Sequence, residues 1–177
     1  MYRIGLDIGS TTAKIIVIDE NDNIIYNKYE RHNAQMLNVV LSFLNERKSI
    51  IGDDDIIFKV SGSIGMGFAE RYGIPFVQEV VAASKTIQRF YPITNTMIDI
   101  GGEDAKIVFF KNGDTDELRM NGNCAGGTGA FIDQMAALLE TDAPGLNEMA
   151  KGATTIYPIA ARCGVLAKTD VQPLINE

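Results

Sequence analysis

The hydrophobic and polar positions at the start of the chain alternate between short apolar runs and turn residues. The apolar runs cover 3–8, 13–19 and 24–30, and Asn21-Asp22-Asn23 separates the last two. Short runs rich in β-branched residues and punctuated by Gly, Asn and Asp are typical of strands joined by tight turns. The pattern predicts a three-stranded antiparallel meander.

A helical period replaces the strand pattern after Asn33. Apolar residues then recur three and four positions apart as far as Leu44, which predicts a helix that Asn33 caps and that ends near Lys48. A fourth strand is predicted over 56–61, after the acidic turn at 53–55. A short helix over 68–72, a strand-like segment over 75–77 and a helix over 79–90 follow.

The second half of the chain begins with another predicted hairpin, strands 96–100 and 105–110, and a further strand over 116–120. A helix is predicted over 127–140 with these residues facing inward: Phe131, Ile132, Met135, Leu138 and Leu139. No clear period follows, and Thr169 or Asp170 is expected to cap a last helix. Because that helix is cut short, we expect residues 1–177 to be a fragment: one lobe, with a second starting near 141–177.

Composition narrows the classes of function. The chain has 177 residues, is 46% hydrophobic and 22% charged, and carries a net charge of −7. An acidic chain without a basic run predicts no nucleic-acid partner. The apolar runs are far shorter than the roughly 20 residues that span a bilayer, so no membrane association is expected. Two cysteines and no secretory signal favour a reducing cytoplasm.

Two segments share one order of residue types, an aspartate ending a strand, a glycine turn and a lysine on the return strand. They are Asp7-Ile8-Gly9-Ser10-Thr11-Thr12-Ala13-Lys14 and Asp99-Ile100-Gly101-Gly102-Glu103-Asp104-Ala105-Lys106. A glycine turn lets backbone N–H groups approach an anion, and a carboxylate at a strand end holds Mg²⁺ through water. A single copy is more often an ordinary β-turn, but two copies predict a clamp on the phosphates of one nucleotide.

The predicted roles follow from these positions. Nucleotide contacts are expected from Asp7, Gly9, Ser10, Thr11, Thr12, Lys14, Asp99, Gly101 and Gly102. Asp7 and Asp99 are the candidates for Mg²⁺, held through water. Glu103 is the candidate that positions an attacking water, and Asp104 is an alternative contact to water or Mg²⁺. His32, the only histidine, is expected at the surface or as a capping residue, and Ser61–Gly67 as a structural turn.

The pair of hairpins resembles the phosphate-1 and phosphate-2 hairpins of the superfamily of actin, the acetate and sugar kinases and the heat-shock chaperones. The resemblance implies an α/β fold, an actin-like and ribonuclease H-like ATPase lobe with a mixed sheet and flanking helices. It also implies ATP or ADP with Mg²⁺ as ligands. Neither a Walker A loop nor a Rossmann glycine fingerprint is present.

The two cysteines lie in glycine-marked turns, Asn121–Gly129 around Cys124 and Ala161–Val165 around Cys163. Two thiols are half of a four-thiolate site, so a symmetric pair of chains could supply the rest. We expect a helix to follow Cys124 immediately and its N-terminus to favour a thiolate, while Ala125, Gly126 and Gly127 leave backbone N–H groups free to reach sulfur. The alternatives are two buried thiols or one disulfide.

The hairpins and both cysteine turns, in this order, resemble the ATP-dependent activators of 2-hydroxyacyl-CoA dehydratases and the benzoyl-CoA reductase ATPase subunits (the BadF/BadG/BcrA/BcrD type). The resemblance implies a homodimer with one [4Fe–4S] cluster at its interface, ligated by Cys124, Cys163 and their symmetry mates. It implies ferredoxin or flavodoxin as electron donor and an acyl-CoA dehydratase or reductase as acceptor. The sequence around Glu103 and Cys124 is also similar to that of large multi-domain proteins that fuse activator-like and dehydratase-like segments.

Two other classes of function remain open at this stage. A small-molecule kinase of the same fold, acting on a sugar or a carboxylate, would need a general-base aspartate and no paired cysteines. A non-catalytic actin-like or chaperone-like assembly module would hydrolyse ATP slowly and hold no cluster. Since relatives of this architecture contact adenosine largely through a second lobe, we expect these residues alone to bind nucleotide weakly.

Overall fold

A computed structural model describes residues 1–112, 114–121, 124 and 126–175 of the chain. The chain divides into two compact units, the first unit (Met1–Thr94) and the second unit (Asn95–Glu177). Within the described residues, no helix has both the length and the apolar character needed to cross a bilayer. The division at residue 94 does not test the second-lobe boundary predicted near 141.

The first unit is a four-stranded mixed sheet with three helices. Its elements are β1 (Tyr2–Ile8), β2 (Thr12–Ile18), β3 (Ile24–Arg31), α1 (Met36–Ile51), β4 (Ile56–Ser61), α2 (Gly65–Tyr72) and α3 (Glu79–Phe90). The sheet order is β3-β2-β1-β4. β1 pairs antiparallel with β2 and parallel with β4, and β2 pairs antiparallel with β3. The predicted meander and fourth strand are confirmed.

The hydrophobic core lies against one face of this sheet. Because successive side chains of a strand point to opposite faces, burial alternates along β1 and β2. Leu6 and Ile8 of β1 and Val17 of β2 are almost fully buried, and they belong to one cluster with Val40 and Phe43 of α1. Burying an aliphatic or aromatic side chain of this size stabilises a fold by about 1.5–3 kcal/mol. This packing fixes the ends of β1 and β2, where the first predicted hairpin turn lies.

Three boundaries in the first unit differ from the prediction. Asn33 does not cap α1, because Asn33 has a positive φ of 45° and the helix begins at Met36 after Gln35. α2 begins at Gly65 rather than at residue 68. The strand-like segment at 75–77 forms only an isolated bridge, between Phe76 and Val60, because no further residues pair there.

The second unit is a three-stranded antiparallel sheet followed by helices. Its elements are β5 (Thr96–Ile100), β6 (Ala105–Lys111), β7 (Asp114–Met120), α4 (Gly129–Leu138), α5 (Ala143–Lys151) and α6 (Gly164–Leu174). The sheet order is β5-β6-β7, and both pairings are antiparallel. The predicted hairpin and the additional strand are confirmed.

The helices of the second unit correct three predictions. α4 is shorter than predicted; of the five residues expected to face inward, four are partly buried and Ile132 is exposed. α5 was missed; Asp142 caps it, accepting the Gly145 N–H at 2.8 Å. Neither Thr169 nor Asp170 is a cap, because α6 starts at Gly164 with Cys163 at the N-cap position.

Candidate functional site

The first hairpin closes with a tight turn at the end of β1. Asp7 lies opposite Lys14 in the β1–β2 register, and the Lys14 Nζ is 3.1 Å from the Asp7 Oδ2. The Gly9 N–H donates to the Thr12 carbonyl oxygen at 2.9 Å. A cavity of about 860 Å³ in the first unit reaches Asp7, Lys14 and Ser61. The site aspartate is thus charge-paired and borders an open cavity.

The second hairpin repeats this geometry. Asp99 lies opposite Lys106 in the β5–β6 register, and the Gly101 N–H donates to the Asp104 carbonyl oxygen at 2.8 Å. The two turns therefore close with the same backbone bond between equivalent positions, as the repeated residue order predicts. Within each hairpin, the chain thus reverses through a tight turn at the glycine.

The lysine of the second hairpin is placed differently from that of the first. Lys106 is 5% exposed, whereas Lys14 is exposed, and the Lys106 Nζ lies 3.0 Å from the Asp104 Oδ1 of the turn. Glu103, at the tip of the turn, is exposed. Of the two predicted catalytic candidates, Asp104 is thus engaged by a buried cation, whereas Glu103 extends from the turn into solvent.

Gly62 fits closely against the end of β1. It has a φ of +95°, and a Cβ built there would lie 2.3 Å from the Ile8 carbonyl oxygen and 2.7 Å from the Asp7 Oδ1. The N–H of Ile64 donates to the same Ile8 carbonyl at 3.0 Å. The predicted structural turn at 61–67 therefore packs tightly against the end of β1 beside Asp7, a contact that the sequence does not predict.

His32 is a buried support of the first hairpin and not a surface residue. The side chain is buried, with 5% of the residue exposed. The backbone N–H of His32 donates to the Thr11 carbonyl oxygen at 3.1 Å, and the ring Nε2 is 3.0 Å from the Gly9 carbonyl oxygen. Because a carbonyl only accepts, Nε2 is the donor in this bond. The β2–β3 register, which pairs Arg31 with Thr12, places the following residue beside the turn. Register was the signal that could have found it.

The second hairpin holds the start of α4. The N–H groups of Gly129 and Ala130 donate to the carbonyl oxygens of Gly101 and Gly102 at 2.8 and 2.9 Å. A Cβ at Gly129 would lie 3.0 Å from the Gly101 oxygen, which is closer than most side chains approach a backbone oxygen. Two of the orphan N–H groups of the helix are satisfied in this way. The turn and the helix that follows the Cys124 segment are thereby joined.

The expectation that a helix directly follows Cys124 is wrong. α4 begins at Gly129 with Thr128 at the N-cap position, because Gly127 has a φ of +86° and turns the chain first. Cys163 is the cysteine that occupies an N-cap. The partial positive charge of a helix N-terminus therefore lies directly at Cys163.

Cys124 and Cys163 line one cavity of about 410 Å³, named here the cysteine cavity. The other lining residues are Gly126, Phe131, Gln134, Gly164, Val165 and Lys168. The Gly126 N–H donates to the Cys124 Sγ at 3.4 Å, and a Cβ on Gly126 would lie 3.2 Å from the Gly164 nitrogen. Close contact between two glycines is what brings the cysteine turns together.

The alternatives of buried thiols and a disulfide are both wrong. Both cysteines are free; Cys124 is exposed and Cys163 is partly buried. The predicted backbone donor at Ala125, together with Gly122 and Asn123 of the same motif, lies outside the described residues. The predicted donor at Gly126 does point at sulfur, as noted for the cysteine cavity.

The donor set fits half of a thiolate-ligated cluster. Within the described part of the chain, no group of three or more His, Cys, Asp or Glu side chains could hold a metal ion. Two accessible thiols at one cavity, one with an amide donor and one at a helix N-terminus, match the chemistry that stabilises thiolate ligands. A complete Cys₄ set would need two further thiols.

The sequence profile of the BadF/BadG/BcrA/BcrD ATPase family matches residues 4–175. The (R)-2-hydroxyglutaryl-CoA dehydratase activating ATPase of Acidaminococcus fermentans is 28% identical, over 97% of this chain and 66% of that protein. The activator of lactoyl-CoA dehydratase of Anaerotignum propionicum is 31% identical, with the same two coverages. The chain thus spans 66% of the length of these relatives.

Solved structures agree with the sequence matches. The activator of the 2-hydroxyisocaproyl-CoA dehydratase from Clostridium difficile, with bound ADPNP, superposes with a TM-score of 0.82 at 28% identity, covering 99% of this chain and 66% of that one. The ethanolamine utilization protein EutJ from Carboxydothermus hydrogenoformans has a TM-score of 0.58 at 14% identity, over 85% of this chain and 61% of that one, which shows a shared fold alone. The expected actin-like α/β fold is confirmed.

Proposed function

Because the chain belongs to the BadF/BadG/BcrA/BcrD ATPase family, we propose that its protein is an ATP-driven one-electron donor to a 2-hydroxyacyl-CoA dehydratase or a related acyl-CoA reductase. The observation that carries this proposal is the cysteine cavity, where two free thiols meet in one chain. Neither a small-molecule kinase nor an assembly module has a use for such a pair.

The two hairpins are the proposed nucleotide contacts. The turn amides and the hydroxyls of Ser10, Thr11 and Thr12 would bind phosphate oxygens, with Lys14 adding positive charge. Asp7 and Asp99 would bind Mg²⁺ through water, while Glu103 would orient the attacking water and Asp104 would be an alternative contact to water or Mg²⁺. The ADPNP bound to the dehydratase activator of similar structure supports a nucleotide site of this kind.

Cys124 and Cys163 would hold a [4Fe–4S] cluster with their symmetry mates in a homodimer. When bound, the cluster supplies a one-electron carrier of low potential. The chain's own part is to present two thiolates, to donate the Gly126 N–H to sulfur and to place the N-terminus of α6 at Cys163. Each of these interactions stabilises negative charge at the cysteine cavity.

The named relatives support a dehydratase partner, and the family resemblance of the sequence implies the other partners. An acyl-CoA dehydratase or reductase component would accept the electron, and a ferredoxin or flavodoxin in the cytoplasm would supply it. A second lobe starting near 141–177 would complete the nucleotide site. Residues 1–177 alone should therefore bind ATP with an affinity weaker than about a micromolar, which corresponds to a binding free energy less negative than about −8 kcal/mol. Calorimetry measures this affinity directly, and tighter binding would contradict the proposal.

Iron content tests the central claim. The protein is purified without oxygen, reconstituted with ferrous iron and sulfide, and assayed for iron, visible absorbance and mass in solution. We expect about four irons per pair of chains, and loss of both iron and dimer in Cys124→Ser and in Cys163→Ser. Iron-free wild-type protein after reconstitution would end the electron-transfer proposal.

A matched variant separates the two sites. Asp7→Asn removes a proposed nucleotide ligand in the first unit and leaves both cysteines in place. Its ATP binding should fall while its iron content stays at the wild-type level. If Asp7→Asn lost iron to the same degree as the cysteine variants, iron loss would reflect general damage rather than ligation.

A further inference from the structure

We propose that Asp170 is a positioning residue for Cys163, because its carboxylate ties the backbone that leads into the cysteine onto α6. The proposal rests on the proposed function only in naming a cluster as what Cys163 holds. It assigns a role to a residue that neither the hairpins nor the cysteine ligands explain.

The segment before Cys163 has little else to hold it. Residues 153–160 form no helix or strand. Of the hydrogen bonds between described residues, one fixes the backbone from 154 to 162, donated by the Ala160 N–H to the Asp170 Oδ2 at 2.9 Å. A hydrogen bond from an amide N–H to an ionised carboxylate is stronger than a hydrogen bond between neutral groups. Among the described hydrogen bonds, this is the one that anchors the segment to α6.

The helix geometry links Asp170 to the cysteine. Cys163 is the N-cap of α6, and Asp170 lies about two helical turns further along, on the same side. Side chains in a helix lean toward its N-terminus, so the carboxylate reaches back toward the incoming chain. Asp is a poor helix former within a helix interior, so helix stability gives no reason for it here.

The tethered segment is also a wall of a cavity. Ile159 to Gly164 line one side of a space of about 450 Å³, and Phe131 and Met135 of α4 line another. Cys163 and Gly126 border the same space, and Gly126 donates to the Cys124 sulfur. Releasing the tether lets that wall move, and the relation between the two thiols moves with it.

The neighbouring residue supplies a matched control. The Thr169 hydroxyl donates to the Val165 carbonyl at 3.0 Å, a bond that lies entirely within α6. Thr169→Val therefore removes a side-chain hydrogen bond on the same helix without touching the segment at 154–162. Asp170→Asn keeps an acceptor oxygen for the Ala160 N–H and loses the charge.

The experiment compares Asp170→Ala, Asp170→Asn and Thr169→Val with wild type in two measurements. Amide hydrogen exchange of Ala160 is followed by NMR on the metal-free full chain, and loss of iron to a chelator is followed on the reconstituted dimer without oxygen. For Asp170→Ala we expect about tenfold faster exchange and about tenfold faster iron loss, the size expected for a lost charge-assisted bond. Asp170→Asn should fall between, and Thr169→Val should match wild type.

The outcomes distinguish this proposal from the function it rests on. A wild-type protein that takes up no iron ends the proposed function, while the exchange arm still tests the tether. If Asp170→Ala exchanges or loses iron no faster than Thr169→Val, the proposal is overturned. Faster exchange with unchanged iron loss also overturns it, because the tether would then not position the cysteine. If Asp170→Ala fails to fold, the same test is made by comparing the amide exchange and iron loss of Asp170→Asn with those of Thr169→Val.

Discussion

Replacing Gly62 by alanine should disrupt the support of the first hairpin. The Cβ would lie 2.3 Å from the Ile8 carbonyl oxygen and 2.7 Å from the Asp7 Oδ1. The first of these contacts is with backbone, so no side-chain rotation relieves it. The turn must move away from β1, and the bond from the Ile64 N–H to the Ile8 carbonyl is then lost.

The magnitude follows from three parts. A left-handed φ costs a residue with a Cβ about 1–2 kcal/mol, and the lost backbone bond adds about 1 kcal/mol. Relief of the contact with Ile8 brings the total destabilisation from Gly62→Ala to about 3–4 kcal/mol, near the upper end for single substitutions. The affinity for Mg-ATP should fall as well, since the Asp7 carboxylate is displaced.

Two other glycines separate the contributions. Gly73 also has a positive φ, +65°, but a Cβ there meets nothing within 4 Å, so Gly73→Ala should cost only the backbone strain, about 1–2 kcal/mol. Gly67 lies inside α2 with open space around it, so Gly67→Ala should stabilise the protein by about 0.5–1 kcal/mol. These variants control for strain and for adding a methyl group.

Urea unfolding of the full chain, followed by far-ultraviolet circular dichroism, measures all three variants against wild type. From the most to the least stable, the expected order is Gly67→Ala, wild type, Gly73→Ala and Gly62→Ala. If Gly62→Ala is no less stable than Gly73→Ala, then the predicted contact with Ile8 does not exist and the reasoning is refuted.

Three further predictions concern other contacts. His32→Phe should lower the free energy of unfolding in urea by about 1–3 kcal/mol, because the Gly9 carbonyl loses its partner; unchanged stability would count against this bond. A hydrogen bond from Lys28 at 2.6 Å holds the pKa of the Glu46 carboxyl below its usual 4.5. The ionised form thus stabilises the fold above pH 4.5, and this stabilisation is lost as pH falls through the lowered pKa, so Glu46→Gln should lose less stability than wild type between about pH 6 and about pH 3. Gly129→Ala should speed amide exchange at the start of α4, since its Cβ would lie 3.0 Å from the carbonyl of the second turn; wild-type exchange would show that the turn yields without cost.

Local sequence determined the strands and the two hairpin turns. Alternating burial and turn residues act over a few positions, and they specify which residues share a face and where the chain reverses. The repeated Asp–Gly–Lys order therefore predicted two tight turns, and these close with equivalent backbone bonds at Gly9 and Gly101. The same local signals predicted some helix starts wrongly. Asn33 is a residue type that caps helices, but it has a positive φ and α1 begins only at Met36. The nucleotide roles of the hairpin residues stay predictions.

Contacts between distant segments were decided only by the tertiary structure. Nothing in a local pattern places His32 under the first turn or Gly62 against Ile8, because these approaches depend on strand register and on packing of the sheet. The cysteine cavity depends on both local sequence and tertiary contacts. The glycine-rich turns around the two cysteines marked them as candidates in the sequence, but a close approach of Gly126 to Gly164 is what puts Cys124 and Cys163 at one cavity.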